Sequence, residues 1–240
     1  MAKKSLTLLG SNFDISYEIL NKECTKDFVV LHGWGSNKNL MRQSFSKHLP
    51  EFRHIYIDMP GFGNSTTDIQ LDTLKYAKIL EEFFKIASIK KDIILGHSFG
   101  GKVATILNPD LLVLIGSSGI LLPKPFSVRF KISMNKFFKQ LGIISLRKFF
   151  VSDDAKDLSP HMYETFKTVV NEDFSNYFEE YSGKALLFWA KGDTSTPLST
   201  AKKINEKIVD SKLFEYDGDH YFFMQQNSAI AKEIKTYITP

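Results

Sequence analysis

Short, almost unbroken apolar runs alternate along the chain with longer stretches whose apolar positions recur at the helical period. Phe28–Leu31, Arg53–Ile57, Ile93–Leu95, Leu111–Ile115, Ala185–Ala190 and Lys212–Tyr216 read as strands. Helices are expected near Lys38–His48, Leu71–Ala87, Ser199–Ile208 and Gln226–Tyr237, with a further one from Lys102 to Leu107. Ahead of them, Ser5–Leu9 and Phe13–Leu20 show partial alternation and read as a hairpin. Strands that take turns with helices imply βαβ units, so the pattern predicts an α/β fold. Its sheet is mostly parallel, of about eight strands, with helices on both faces.

One segment breaks the series. It leaves the strand pattern through Leu121-Leu122-Pro123-Lys124-Pro125 and returns at Tyr181-Ser182-Gly183. The chain therefore divides into a core, 1–119 and 183–240, and a helical lid, 120–182. Phe126, Phe130, Met134, Phe137, Phe138 and Leu141 recur near the helical period, which marks a packing face. Over a reactive site the same face excludes water and suits an acyl or aromatic group of modest size, so Phe126 and Phe130 are candidate substrate contacts. Charge on the segment is uneven. Lys124, Arg129, Lys131, Lys136, Lys139, Arg147 and Lys148 precede Ser152 with no acid among them, and Asp153, Asp154, Asp157, Glu164, Glu172, Asp173, Glu179 and Glu180 follow. Two lid helices that complement one another, with a solvated face, account for this. The sharper alternative is an anionic partner: an acidic acyl-carrier protein, a carboxylate-bearing ester or a negative membrane surface, with Arg129 and Arg147 as candidate anion contacts.

The most specific chemistry lies where Ile93-Ile94-Leu95 runs into Gly96-His97-Ser98-Phe99-Gly100 and then into a helix. A serine on such a turn is held in a strained backbone geometry with its hydroxyl raised above the sheet edge. Side chains at Gly96 or Gly100 would collide with neighbouring elements as the chain reverses. Ser98 is thus a candidate nucleophile, and the Phe99 N–H, at the positive end of the new helix, a candidate oxyanion donor.

A serine hydroxyl needs a base, and the base an orienting carboxylate. Of six histidines, His220 follows a late strand within Tyr216-Asp217-Gly218-Asp219-His220, where a loop can swing over the sheet edge. His97 is expected to turn its ring away from Ser98, and His48, His54 and His161 have no comparable context. Asp193 ends the strand Ala185–Ala190 and precedes Thr194-Ser195-Thr196-Pro197, a loop that enters a helix with Pro197 near its first turn. Asp217 and Asp219 are expected to shape the turn that presents His220. His32-Gly33-Trp34-Gly35, after the strand Phe28–Leu31, offers the Trp34 N–H as the second oxyanion donor.

Composition narrows the setting. The chain has 240 residues and a net charge of +4, enough for one domain with a lid and a sizeable core. Cys24 stands alone, so no intramolecular disulfide forms and a reducing, cytoplasmic compartment is expected. No signal peptide, membrane span, repeat or nucleic-acid motif is expected.

The segments His32-Gly33-Trp34-Gly35, Asp58-Met59-Pro60-Gly61-Phe62-Gly63-Asn64-Ser65, Gly96-His97-Ser98-Phe99-Gly100 (the nucleophile elbow), Gly192-Asp193 and Gly218-Asp219-His220 occur in an order that resembles the α/β-hydrolase superfamily. The resemblance covers nearly everything but the insertion. It is to the small, lidded branch: carboxylesterases, pimeloyl-carrier-protein methyl ester esterases and meta-cleavage-product C–C hydrolases. It implies a Ser98–Asp193–His220 triad and hydrolysis of a small to medium carboxylic ester or thioester through an acyl-enzyme, with no metal or organic cofactor. C–C hydrolysis of a dienoate is the alternative, although His97 and Tyr221 stand where those hydrolases carry Asn and Trp. A non-catalytic ligand-binding protein is the remaining reading. The stretch from Ser98 to the next strand is shorter than in relatives, ended by Asn108-Pro109-Asp110.

Overall fold

The computed structural model describes residues 2–122 and 159–238. Its sheet contains β1 (Ala2–Leu8), β2 (Ser11–Leu20), β3 (Asp27–Leu31), β4 (Arg53–Ile57), β5 (Ile93–His97), β6 (Leu111–Ile115), β7 (Lys184–Ala190) and β8 (Asp210–Tyr216). The helices are α1 (Lys38–Phe45), α2 (Thr73–Ala87), α3 (Phe99–Leu107), α4 (Pro160–Val169), α5 (Ser175–Glu180), α6 (Leu198–Lys207) and α7 (Phe223–Ile238). Strand order is β1-β2-β4-β3-β5-β6-β7-β8. The β1/β2 hairpin and the β2/β4 pair are antiparallel, and every pairing from β4 through β3 to β8 is parallel. This is the expected architecture.

Burial explains the strand pattern. Val29 and Leu31 join one apolar cluster, Phe28 and Val30 the other, so the two faces of β3 feed two cores. A strand covered on both sides has no polar face to show, hence its unbroken apolar run. Helix ends follow local chemistry. The Asp72 carboxylate accepts from Lys75 N at 2.7 Å to open α2, which closes on a left-handed Ser88. α1 stops at Phe45, short of the expected His48, and Leu49 then takes a positive φ of 51°. α7 begins at Phe223, three residues before the expected Gln226. Asn108, left-handed at φ 51°, closes the short α3 where the sequence marks its end.

Of the segment 120–182, the described part holds α4 and α5. Phe166, Phe174, Phe178 and Tyr181 there belong to the same buried cluster as the core strands. Among the described residues no helix is long and apolar enough to cross a membrane.

The strand order decides where a site can form. β3 is followed in sequence by β4 on one side, while β5 lies on the other, so successive connections diverge between β3 and β5. A crevice opens at the carboxyl ends of such strands. The loop after β3 and the turn after β5 both empty into it.

Candidate active site

Ser98 bridges β5 and α3 with φ 52° and ψ −113°. For a residue with a side chain this is a sparsely populated region and costs about 1–3 kcal/mol. Its N–H donates to Ile115 O at 3.0 Å, and its carbonyl accepts from Gly101 N and Ser118 N, each at 3.1 Å. The turn is pinned on both sides by backbone. A methyl group at Gly96 would lie 2.5 Å from the Gly100 carbonyl carbon, and one at Gly100 would lie 2.6 Å from His32 O. Only hydrogen fits, which is why both positions are glycine. Serine at a helix N-cap ordinarily spends its hydroxyl on the first-turn amides. Here the side chain makes no such cap.

Asp193 and His220 meet at the ends of β7 and β8. His220 Nδ1 lies 2.7 Å from Asp193 Oδ2, and both residues are buried. Asp193 Oδ1 accepts from Ser195 N at 2.8 Å and Thr196 N at 2.9 Å, while the Thr196 hydroxyl lies 2.8 Å from Oδ2. With a carboxylate facing Nδ1, the ring proton sits on Nδ1 and Nε2 is left with a lone pair. Gly116 seats this pair against the elbow: a methyl group there would come 3.2 Å from Asp193 Oδ2 and 3.3 Å from His220 Nδ1. Its neighbour Ile115 is the acceptor of the Ser98 N–H. Among the described residues no hydrogen bond joins the Ser98 hydroxyl to His220; bonds of this kind commonly tighten only around substrate.

Trp34, Ser98 and Phe99 line one cleft together with Ile120 and Val169. Among the described residues neither the Trp34 N–H nor the Phe99 N–H has a hydrogen-bond acceptor. The Trp34 ring packs on Phe62, Phe99 and Phe166 at 4.8, 5.5 and 5.3 Å between centroids. The loop approaches the elbow closely, since a methyl group at Gly33 would sit 3.2 Å from Ser98 Cβ.

Several supporting residues escape the sequence reading. His32 donates from Nδ1 to Gly33 O at 2.8 Å and accepts the Met59 N–H on Nε2 at 3.0 Å. Burial lowers its pKa to about 4, so it stays neutral and ties two loops together. Behind it, Asp58 takes the Lys38 ammonium as a fully buried ion pair and also accepts from Lys38 N at 2.8 Å and Asn64 N at 3.0 Å. That pair fixes the loop 58–65, whose motif was visible while its partner, twenty positions away, was not. Lys102, one helical turn beyond Ser98, donates to Val169 O at 2.5 Å and Glu172 at 2.8 Å. Glu172 also accepts from Thr73 N at 3.0 Å and from the Thr73 hydroxyl. Burial pushes the Glu172 carboxyl upward, but Lys102 and Thr73 outweigh it and the net shift is downward. Both members of this pair line the cleft with Ser98.

Of the remaining expectations, Asp219 caps the turn by accepting Tyr221 N at 2.8 Å, and Asp217 pairs with Lys191. The His97 ring lies against the His220 loop. Phe126, Phe130, Arg129 and Arg147 lie outside the described residues.

A family model for the alpha/beta hydrolase fold matches residues 27–109, and one for TAP-like protein matches residues 167–240. The pimeloyl-[acyl-carrier protein] methyl ester esterase of Vibrio campbellii is 24% identical, across 88% of this chain and 94% of that protein. Its counterpart from Vibrio vulnificus is 37% identical over a shorter stretch, 33% of this chain and 29% of that one. Among solved structures, an esterase from Exiguobacterium antarcticum superposes with a TM-score of 0.76 at 19% identity, covering 95% of this chain and 96% of the other. A meta-cleavage product hydrolase from Pseudomonas fluorescens gives 0.71 at 16% identity, covering 98% and 96%. Strand order, the turn at Ser98 and the two matched stretches, 27–109 and 167–240, agree, and the chain belongs to the α/β-hydrolase superfamily.

Proposed function

We propose that this chain is a serine hydrolase that cleaves a carboxylic ester, or thioester, of a small to medium acyl group. The observation that carries the reading is the 2.7 Å Asp193–His220 bond, seated beside a serine whose strained backbone leaves its hydroxyl uncapped. In this scheme Asp193 fixes the His220 tautomer and stabilises the imidazolium. Nε2 takes the Ser98 proton as Oγ attacks the carbonyl carbon. The Trp34 and Phe99 N–H groups hold the oxyanion, each contributing about 3–4 kcal/mol to the transition state. His220 returns the proton to the departing alcohol or thiol, and water attacks the acyl-enzyme by the same route. The wall formed by Trp34, Phe99, Ile120 and Val169 receives the acyl chain. The two Vibrio relatives are, by name, methyl ester esterases for a pimeloyl group carried on an acyl-carrier protein. The acid-free run from Lys124 to Lys148 supports an acidic carrier as partner.

An acyl-length and leaving-group series of esters and thioesters tests this, with a dienoate ring-fission product as the C–C arm. Ester turnover is expected to fall on the order of 10⁶-fold in Ser98→Ala while the protein stays folded. Near-normal turnover by that variant, or ring-fission activity without ester activity, would overturn the ester assignment.

A further inference from the structure

His97, the residue between Gly96 and the candidate nucleophile, ends β5 with its ring fully buried. Its Nε2 lies 3.1 Å from the backbone carbonyl of His220. A carbonyl can only accept, so Nε2 carries the proton and Nδ1 is bare. That Nδ1 is buried and has no partner. An apolar side chain of similar volume would avoid the cost of an orphaned nitrogen, so the ring's other bond is what the histidine supplies. The ring is clamped in place by the His220 ring and Phe223, each 4.7 Å away between centroids, and by Tyr221 at 5.4 Å.

We infer that His97 is a positioning residue for the base: its Nε2–H holds the main chain of His220 while Asp193 holds the ring. The inference rests on the Ser98–Asp193–His220 reading. Its geometric force comes from adjacency. His97 and Ser98 share a peptide bond, so the nucleophile and the anchor of its base are carried by the same strand end, and a shift of one takes the other with it. The main chain leading to His220 is tied at Gly218 O by the Gly192 N–H at 3.1 Å; the His97 bond adds an anchor at the His220 carbonyl itself. Burial also pushes the His97 pKa well below its ordinary value, with the His220 ring acting in the same direction, so His97 does not compete for the proton.

Two substitutions separate positioning from packing. His97→Leu keeps an apolar body without a donor, and His97→Gln keeps an N–H at comparable reach. His97→Leu is expected to stay folded and to lose about 10- to 100-fold in kcat on the best ester, with KM within about twofold. His97→Gln should recover most of that loss. The Nδ1 proton of His220, read by NMR in the low-field region, should broaden or shift in His97→Leu and return in His97→Gln. This readout needs no substrate, so it judges the anchor even if the Ser98 reading fails through an active Ser98→Ala protein. Should His97→Leu not fold, His97→Asn, one methylene too short, replaces it and should show the same loss against Gln. Equal kcat and an unchanged His220 resonance in the donor and donor-free variants overturn the inference.

Discussion

The two halves of the site are held by different physics. At Ser98 the backbone sits at φ 52°, glycines on either side admit the neighbouring main chain, and the hydroxyl caps nothing. At the ends of β7 and β8, Asp193 and His220 occupy a saturated network: two amides on one carboxylate oxygen, and a hydroxyl with the imidazole on the other. Ser98 is positioned by exclusion, His220 by satisfied hydrogen bonds. A site of the first kind tolerates no added volume. A site of the second kind fails when a donor or acceptor is exchanged.

That contrast can be broken. In Asp193→Asn the carbonyl oxygen stays with Ser195 N and Thr196 N, which turns the new NH₂ toward His220 Nδ1 and forces the wrong tautomer. Single-turnover assays should show a loss of about 10⁴-fold in kcat with stability little changed. A variant that retains a tenth of normal turnover would mean the network does not set the tautomer. On the other arm, Gly100→Ala places a methyl group 2.6 Å from His32 O and 2.7 Å from Leu31 O, both backbone. Urea unfolding should report a loss of about 3 kcal/mol or more; an unchanged midpoint would show that the turn has slack.

Acid sharpens the picture on the Ser98 side. The folded pKa of His32, about 4, lies below the ordinary 6.5, so the folded state binds fewer protons. Stability from this group is whole above pH 6.5 and drains as pH falls toward 4, about 3 kcal/mol in total. His97 pulls in the same direction. The slope of urea midpoint against pH in that window should lose about one proton in His32→Gln. The smallest effect belongs to Thr196→Val, which removes one hydroxyl from Asp193 Oδ2 and Gly116 O while the backbone donors remain. About 1 kcal/mol of stability and roughly tenfold in kcat are expected. A much larger fall in kcat would make the hydroxyl part of the proton path.

Much of this arrangement is legible in the amino-acid order because it is local. Strand, glycine, serine, glycine and helix lie within fifteen residues, and the strained turn follows from the order alone. Asp193 and His220 are legible for a related reason: each stands just beyond a strand, the first an apolar run and the second an alternating one, where a parallel sheet delivers its loops to one edge. The supports are not local and carry no period. Lys38 finds Asp58 and Lys102 finds Glu172 through the packing of α1 and α3, and an isolated lysine in a helix reads as solvated. Thr196 looks like part of a helix entry until its hydroxyl is seen beside Asp193. His97 shows its neighbour in sequence but not the carbonyl it meets across the sheet edge.

The Lys102–Glu172 pair bears on how such proteins can be recombined. A segment exchanged between positions 120 and 182 carries away the carboxylate and leaves the ammonium behind, walled in on α3 beside Phe174's former seat. A lone buried cation is far costlier than a missing pair. Chimeras that trade this insertion must therefore trade position 102 with it, and position 73 for the hydroxyl that completes the carboxylate. A seam for such an exchange therefore takes in two residues of the core helices, Thr73 on α2 and Lys102 on α3.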